Sequence, residues 1–218
     1  MISEIFAVSS AWSRAMIELS TELDPWAQSA AKAGTDLLLV IFAVLFVAAW
    51  WRARSRSSRA VGLALFAPAA TVIAYLASRT VKLFFEQLRP CQAMTDLTTI
   101  ATCDPIGDWS FPSNHATIAG AAAAAIVLTW YRMAFPAALI AVMEAFSRVF
   151  VGAHYPHDVT AGLLLGATVA VLVSLALSRP LTAVVDRLAE FERLRPLLRA
   201  DHPSGEDVGV PHGSHPGN

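Results

Sequence analysis

Three cations, two imidazoles and one carboxylate are the residues of this chain most suited to chemistry. The cations are Lys82, Arg89 and Arg148; the imidazoles are His115 and His154, and Asp158 follows His154 by four residues. Together they describe phosphoryl transfer. A phosphate ester is anionic and its equatorial oxygens gain charge during reaction, so fixed cations and backbone donors stabilise the transition state. Pro112, Ser113, Asn114 and His115 read as the start of a helix, whose free N–H groups and dipole bind anions. Ser113 and Asn114 thereby join Lys82, Arg89 and Arg148 as candidate substrate-binding residues. One histidine must attack phosphorus as neutral imidazole, and the other must protonate the departing oxygen. His154 suits the nucleophile, because Asp158 fixes its tautomer and stabilises a positive phospho-imidazole. His115, with no acid nearby in sequence, suits the acid. The chemistry calls for no cofactor, and no ligand cluster for a metal is evident; His202, His212 and His215 lie in the tail.

The elements that position these groups are membrane spans. Of 218 residues 56% are hydrophobic and 15% charged, against roughly a quarter charged in soluble domains. Five apolar stretches are expected to cross the bilayer, at about 36–51, 60–76, 112–130, 133–151 and 158–177, the second continuing helically toward Leu88. The expected fold is an all-α polytopic membrane bundle of five transmembrane helices. Ahead of it, Ile5, Val8, Trp12, Met16, Leu19 and Leu23 recur at helical spacing, which predicts an amphipathic interfacial helix over residues 1–24. Glu4, Arg14 and Glu18 exclude a signal peptide there. Residues 25–180 form the membrane domain, and 181–218 a cytoplasmic tail, disordered from His202 onward.

Arginine sets the orientation. Arg52, Arg54, Arg56 and Arg59, then Arg132, then Arg179, Arg187, Arg193, Arg195 and Arg199 occupy alternate connections, whereas residues 91–111 hold no Lys or Arg. By the positive-inside rule the arginine-rich segments are cytoplasmic and the acidic loop is outside. Lys82, Arg89, His115, Arg148, His154 and Asp158 then all fall at the outer face. Ionisable side chains near membrane depth are costly, so their convergence implies function. Cys91 and Cys103 both lie in the outer loop, as two unrelated thiols or as a disulfide that an oxidising compartment permits. Glu144 is placed to pair with Arg148 and Glu86 with Lys82; His157 receives no role from its spacing.

The three groups Lys82-x6-Arg89-Pro90, Pro112-Ser113-Asn114-His115 and Ser147-Arg148-x5-His154-x3-Asp158 resemble the signature of the type-2 phosphatidic acid phosphatase superfamily. The resemblance covers roughly residues 60–178. It implies a helical bundle, a phosphohistidine at His154, His115 as acid and no required metal. Asn114 departs from the commonest signature, which has glycine there. With Phe111–Thr117 and Arg148–Pro156, it is similar to the bacitracin-resistance type of undecaprenyl-diphosphate phosphatase. That branch implies a bacterial plasma-membrane enzyme whose partners are a lipid phosphate and the bilayer, with no nucleic acid. A phosphatidate or phosphatidylglycerophosphate phosphatase is the nearest alternative, and a catalytically inactive lipid-binding protein the alternative of another class. A transporter is disfavoured by the absence of repeated halves.

Overall fold

Proline and serine punctuate the chain into helices. The structure, a computed structural model, describes residues 2–200, apart from the side chains at 2, 3 and 5. Helix α1 is Ile2–Thr21, and α2 (Pro25–Ala53) starts on a proline, whose missing N–H costs nothing in a first turn. Ser57 caps α3 (Ser58–Lys82) by accepting the Ala60 N–H at 3.3 Å. A short α4 (Pro90–Ala93) lies in the long loop that leads to α5 (Asn114–Thr129). After a turn come α6 (Ala134–Phe150), α7 (Pro156–Leu188) and a final short α8 (Arg195–Leu198). Among the described residues no strand occurs.

Helices α2, α3, α7 and the stretch 131–150 containing α6 are each long and apolar enough to cross a membrane. Helix α5 is apolar but shorter; its 16 residues reach only about 24 Å at ~1.5 Å per residue. It is the centre of the bundle. Its alanines are buried on all sides, which is why it shows no amphipathic stripe. Ala121 meets Ala70 and Ala74 of α3 and Ala170 of α7, while Ala119, Ala122 and Ile126 pack with Phe42 of α2 and Ala137 of α6. Small residues let the backbones close up. A Cβ on Gly162 would stand 2.6 Å from the Ser113 carbonyl oxygen, and one on Gly166 would collide with that of Thr117. The second and third turns of α7 are thereby locked against the start of α5, next to the turns that carry Asp158 and His115. Outward faces are apolar, as at Leu37, Val44, Val72 and Leu172, the surface that lipid covers.

Several expectations change. Helix α3 ends at Lys82, not near Leu88. Leu83, Phe84 and Phe85 continue the apolar run, but they are exposed beyond the helix; hydropathy reports a lipid-facing surface and not the helix itself. Helix α1 does carry its apolar stripe outward, with Val8, Trp12 and Leu19 exposed. Its inward face, however, is Ser9, Ser13, Ile17 and Ser20. Helix α7 continues to Leu188, and α8 folds back so that Leu198 packs with Ala53, Val61, Ala64 and Val185. Arg54 Nη1 donates to the Pro196 carbonyl at 2.8 Å and Trp50 Nε1 to that of Leu197 at 3.1 Å. Residues 181–200 are therefore folded, whereas the disorder expected from His202 to Asn218 falls outside the described residues.

Cys91 and Cys103 are joined in a disulfide. It ties α4, directly after Arg89, to the segment that begins at Asp104. Both cysteines should resist alkylation in protein taken from membranes until a reductant is added, as mass spectrometry will show. Replacing both by serine should cost about 3 kcal/mol of stability, the usual loop-closure contribution. Free alkylation without reduction would refute the bond.

Candidate active site

The groups singled out in the sequence meet at one end of the bundle. Lys82, at the last turn of α3, is buried; its Nζ lies 3.4 Å from Asp108 Oδ1 and also donates to the Trp109 carbonyl. Arg89 is only 4% exposed. Its Nη2 reaches Asp104 and Asp108 at 3.0 Å each, and its Nε donates to the Asp108 carbonyl at 2.9 Å. Its Nη1 sits 3.4 Å from both the Ala153 carbonyl oxygen and His154 Nε2. The acidic loop thus serves as the counter-charge for the cations. Burial alone would raise the Asp108 carboxyl, but Lys82 and Arg89 outweigh it and hold the group below the usual range.

His154 lies in the short link between α6 and α7, where Gly152 takes a positive φ of 78° to turn the chain. Its ring is 2% exposed, and Nδ1 stands 3.6 Å from Asp158 Oδ2. Burial, opposed by the hydrogen-bonding carboxylate of Asp158, lowers the imidazole to about 4, so the ring is neutral at pH 7. Asp158 is fully buried at the third position of α7. Its Oδ2 accepts the Tyr155 N–H at 2.9 Å, capping the helix, and the Ser110 hydroxyl at 2.5 Å. Two donors and the nearby ring offset what would otherwise be a costly buried charge.

Ser113 N-caps α5, accepting the Ala116 N–H at 3.4 Å, and its own N–H donates to the Asp158 carbonyl at 3.1 Å. One hydrogen bond therefore joins the two helix starts. The Asn114 amide oxygen accepts the Ser78 hydroxyl of α3 at 2.9 Å, so this residue anchors α5 instead of standing free in the cradle. His115 is partly exposed, and Asp36 of α2 lies 3.7 Å from its Nε2. Arg148, at the end of α6, keeps its Nε buried with no hydrogen-bond partner.

Two expected pairings are absent. Glu144 makes no ion pair with Arg148; it is fully buried and both carboxylate oxygens lack hydrogen-bond partners. The carboxylate stays within electrostatic range of the Arg148 guanidinium without pairing with it. Glu86 is exposed past the end of α3, and Lys82 turns to Asp108 instead. The sequence also left residues unassigned. Asp36 carries a signal, since an acid within an apolar span calls for a reason. Ser110 carries none, because the carboxylate it serves lies 48 residues further along. Among the described residues no group of three or more His, Cys, Asp or Glu side chains could hold a metal ion.

Two histidines and three cations at one end of a helical membrane bundle are the equipment of a phosphohydrolase that works at the bilayer. The sequence pattern of the PAP2 superfamily matches residues 63–180, more than half of the chain, and the protein belongs to that superfamily; its long apolar helices are those of a multi-pass membrane protein. It is 28% identical to the undecaprenyl-diphosphatase BcrC of Bacillus subtilis over 72% of this chain and 79% of that protein. It is 47% identical to a lipid A 1-phosphatase of Rhizobium johnstonii, over only 32% of this chain and 29% of the relative. In fold it resembles the crystal structure of a PAP2-type phosphatidylglycerolphosphate phosphatase from Bacillus subtilis. That likeness has a TM-score of 0.58 and 22% identity, over 78% of this chain and 84% of the other.

Proposed function

We propose that the protein hydrolyses a polyprenyl diphosphate, of the undecaprenyl or decaprenyl kind, to the monophosphate through a phosphohistidine at His154. The observation that carries this is the orientation of the His154 ring. Nδ1 faces Asp158 at 3.6 Å, while Nε2 is turned to Arg89 Nη1 at 3.4 Å. The nitrogen free to attack therefore points where a guanidinium can hold a phosphate oxygen. Nε2 bonds to the terminal phosphorus, the bond from phosphorus to the bridging oxygen breaks, and His115 gives its proton to that oxygen. Lys82, Arg89, Arg148 and the N–H groups at the start of α5 stabilise the equatorial oxygens. Water, deprotonated by His115, then attacks the phospho-imidazole and releases inorganic phosphate, restoring both histidines. Three side-chain cations supply the charge that a metal supplies elsewhere, so no metal is required.

A lipid substrate accords with the surroundings. Between α2 and α6 runs an apolar groove of 550 Å³ lined by Leu37, Leu38, Met143, Phe146 and Ser147. These neighbour Asp36 and Arg148 in sequence, so a tail lying there leads to the His115 side of the site. The arginine asymmetry supports a site on the extracytoplasmic face, in keeping with a bacterial plasma-membrane enzyme. Diphosphate carriers spent in cell-wall synthesis could be met there. The similarity to an undecaprenyl-diphosphatase over most of both chains adds to the polyprenyl reading.

Phosphate release from purified protein tests the assignment, using polyprenyl diphosphate, phosphatidate and phosphatidylglycerophosphate, each with and without EDTA. The diphosphate should be preferred by about tenfold or more in kcat/KM, worth ~1.4 kcal/mol of transition-state binding. Rates should survive chelation. Preference for either phospholipid would replace the substrate, and loss in EDTA restored by one divalent cation would replace the mechanism.

A further inference from the structure

His157 has no place in the mechanism above, yet it is the best-connected side chain at the rear of the site. It follows Pro156 in the first turn of α7 and is 14% exposed at the side chain. Its Nδ1 lies 2.7 Å from the Ser9 hydroxyl of α1, and its backbone N–H donates to that same oxygen at 3.3 Å. Its Nε2 lies 2.8 and 3.1 Å from the two amide atoms of Gln87 and 3.1 Å from Asp158 Oδ1. The ring is held flat between aromatic neighbours: Tyr155 stacks at 5.4 Å, and Phe6 of α1 meets it edge-on at 4.7 Å. Three separate parts of the chain, α1, the segment at Gln87 and the first turn of α7, thus fix one imidazole.

Asp158 shows what the ring is fixed for. Both known donors, Ser110 and the Tyr155 N–H, go to Oδ2. Oδ1 is buried and has no aligned hydrogen-bond donor; His157 Nε2 lies 3.1 Å from it. A buried carboxylate oxygen left unserved is expensive, and the carboxylate is free to swing towards whatever would serve it. Ser9 decides which nitrogen of the ring carries the hydrogen. The donor set that uses every group has the Ser9 hydroxyl accepting from the His157 N–H and donating to Nδ1. Nε2 then bears the hydrogen and donates it to Gln87 Oε1, the Gln87 amide being turned so that its oxygen faces the ring, while Asp158 Oδ1 lies 3.1 Å away, off the line of that bond.

We infer that His157 is a positioning residue for the nucleophile: it braces Asp158, which in turn orients His154, and α1 holds the brace through Ser9. The inference rests on His154 as nucleophile and Asp158 as its partner. It gives α1 a catalytic purpose beyond lying on the membrane. It also accounts for a serine, not an apolar residue, on the buried side of that helix at position 9.

Single-turnover formation of the phosphoenzyme, measured beside steady-state kinetics on the best lipid phosphate of the parent, tests this. His157→Leu keeps the packing volume but supplies no donor. It should slow phosphorylation and kcat by about 10- to 100-fold, the usual cost of losing a group that orients an imidazole's partner, with KM unchanged. His157→Gln, whose amide N–H can replace Nε2–H, should recover most of that loss. Ser9→Ala should fall between, since Nε2 keeps a fraction of the correct tautomer. Asp158→Asn is run alongside. If it is as active as the parent, the His154–Asp158 reading itself fails; if it is inactive while His157→Leu is not, only the present inference fails. Equal losses in His157→Leu and His157→Gln, with unchanged thermal unfolding in detergent, would make the ring a packing element and overturn the proposal.

Discussion

His154→Ala is expected to abolish turnover, by about 10⁴-fold or more, while the bundle stays folded. Loss of a nucleophile removes the covalent route altogether, and the remaining cations can only stabilise a slow attack by water. The fold should tolerate the change because His154 sits in a link and not in a helix interior. Its neighbours are held by other means, with Asp158 bonded to Ser110 and the Tyr155 N–H. Incubation with a lipid carrying 32P at the terminal phosphate should trap an acid-labile, base-stable phosphoprotein in the parent and none in the variant. The pH dependence follows from the same ring. Burial lowers its imidazole to about 4, so in the free enzyme the nucleophile is ready above that value and is lost as the pH falls through it. An acid limb of phosphoenzyme formation near 6.5, traced to His154, would contradict the buried geometry. A variant retaining a tenth of parental activity would end the nucleophile assignment.

Legibility in the sequence tracked how local each interaction is. His154 and Asp158 are four residues apart, and the turn from α6 into α7 brings ring and carboxylate within 3.6 Å. Lys82 and Arg89 were found because charge beside an apolar run is rare enough to notice. Cys91 and Cys103 admit only one pairing, but the sequence does not say whether two thiols in one loop are oxidised; the structure joins them. Long-range partners left no trace. Ser9 meets His157 across 148 positions, and Ser110 meets Asp158 across 48; serine is too common for either to stand out. The short central helix α5 was visible as an apolar stretch. Its all-round burial was not, since a helix buried on every side has no periodicity to read. Nothing in the sequence sets Gly162 and Gly166 apart from other small residues in a span. Only the packed structure shows them as the points where α5 and α7 nearly touch backbone to backbone.

The other large effect is expected at Arg89, where Ala and Lys substitutions should be nearly equally damaging. Both should lose about 10²- to 10³-fold in kcat/KM, the range for removing one preorganised transition-state donor. Lysine preserves the charge, so its failure would show what the guanidinium contributes through shape. Its donors are divided among Asp104, two oxygens of Asp108, the Ala153 carbonyl and the edge of His154. An ammonium has three donors on one atom and cannot span that set. The fork also answers a question the charges raise, because Asp104 and Asp108 neutralise cations that are proposed to bind phosphate. Asp104 and Asp108 meet the same Nη2, while Nη1 faces His154. An arriving phosphate can therefore take the Nη1 side while the carboxylates keep the guanidinium in register from behind. Arg89→Lys should weaken inhibition by vanadate, a stand-in for the five-coordinate phosphorus, by a similar factor. A lysine variant with near-parental kcat/KM and vanadate affinity would reduce Arg89 to a point charge, and the directed geometry drawn here would be wrong.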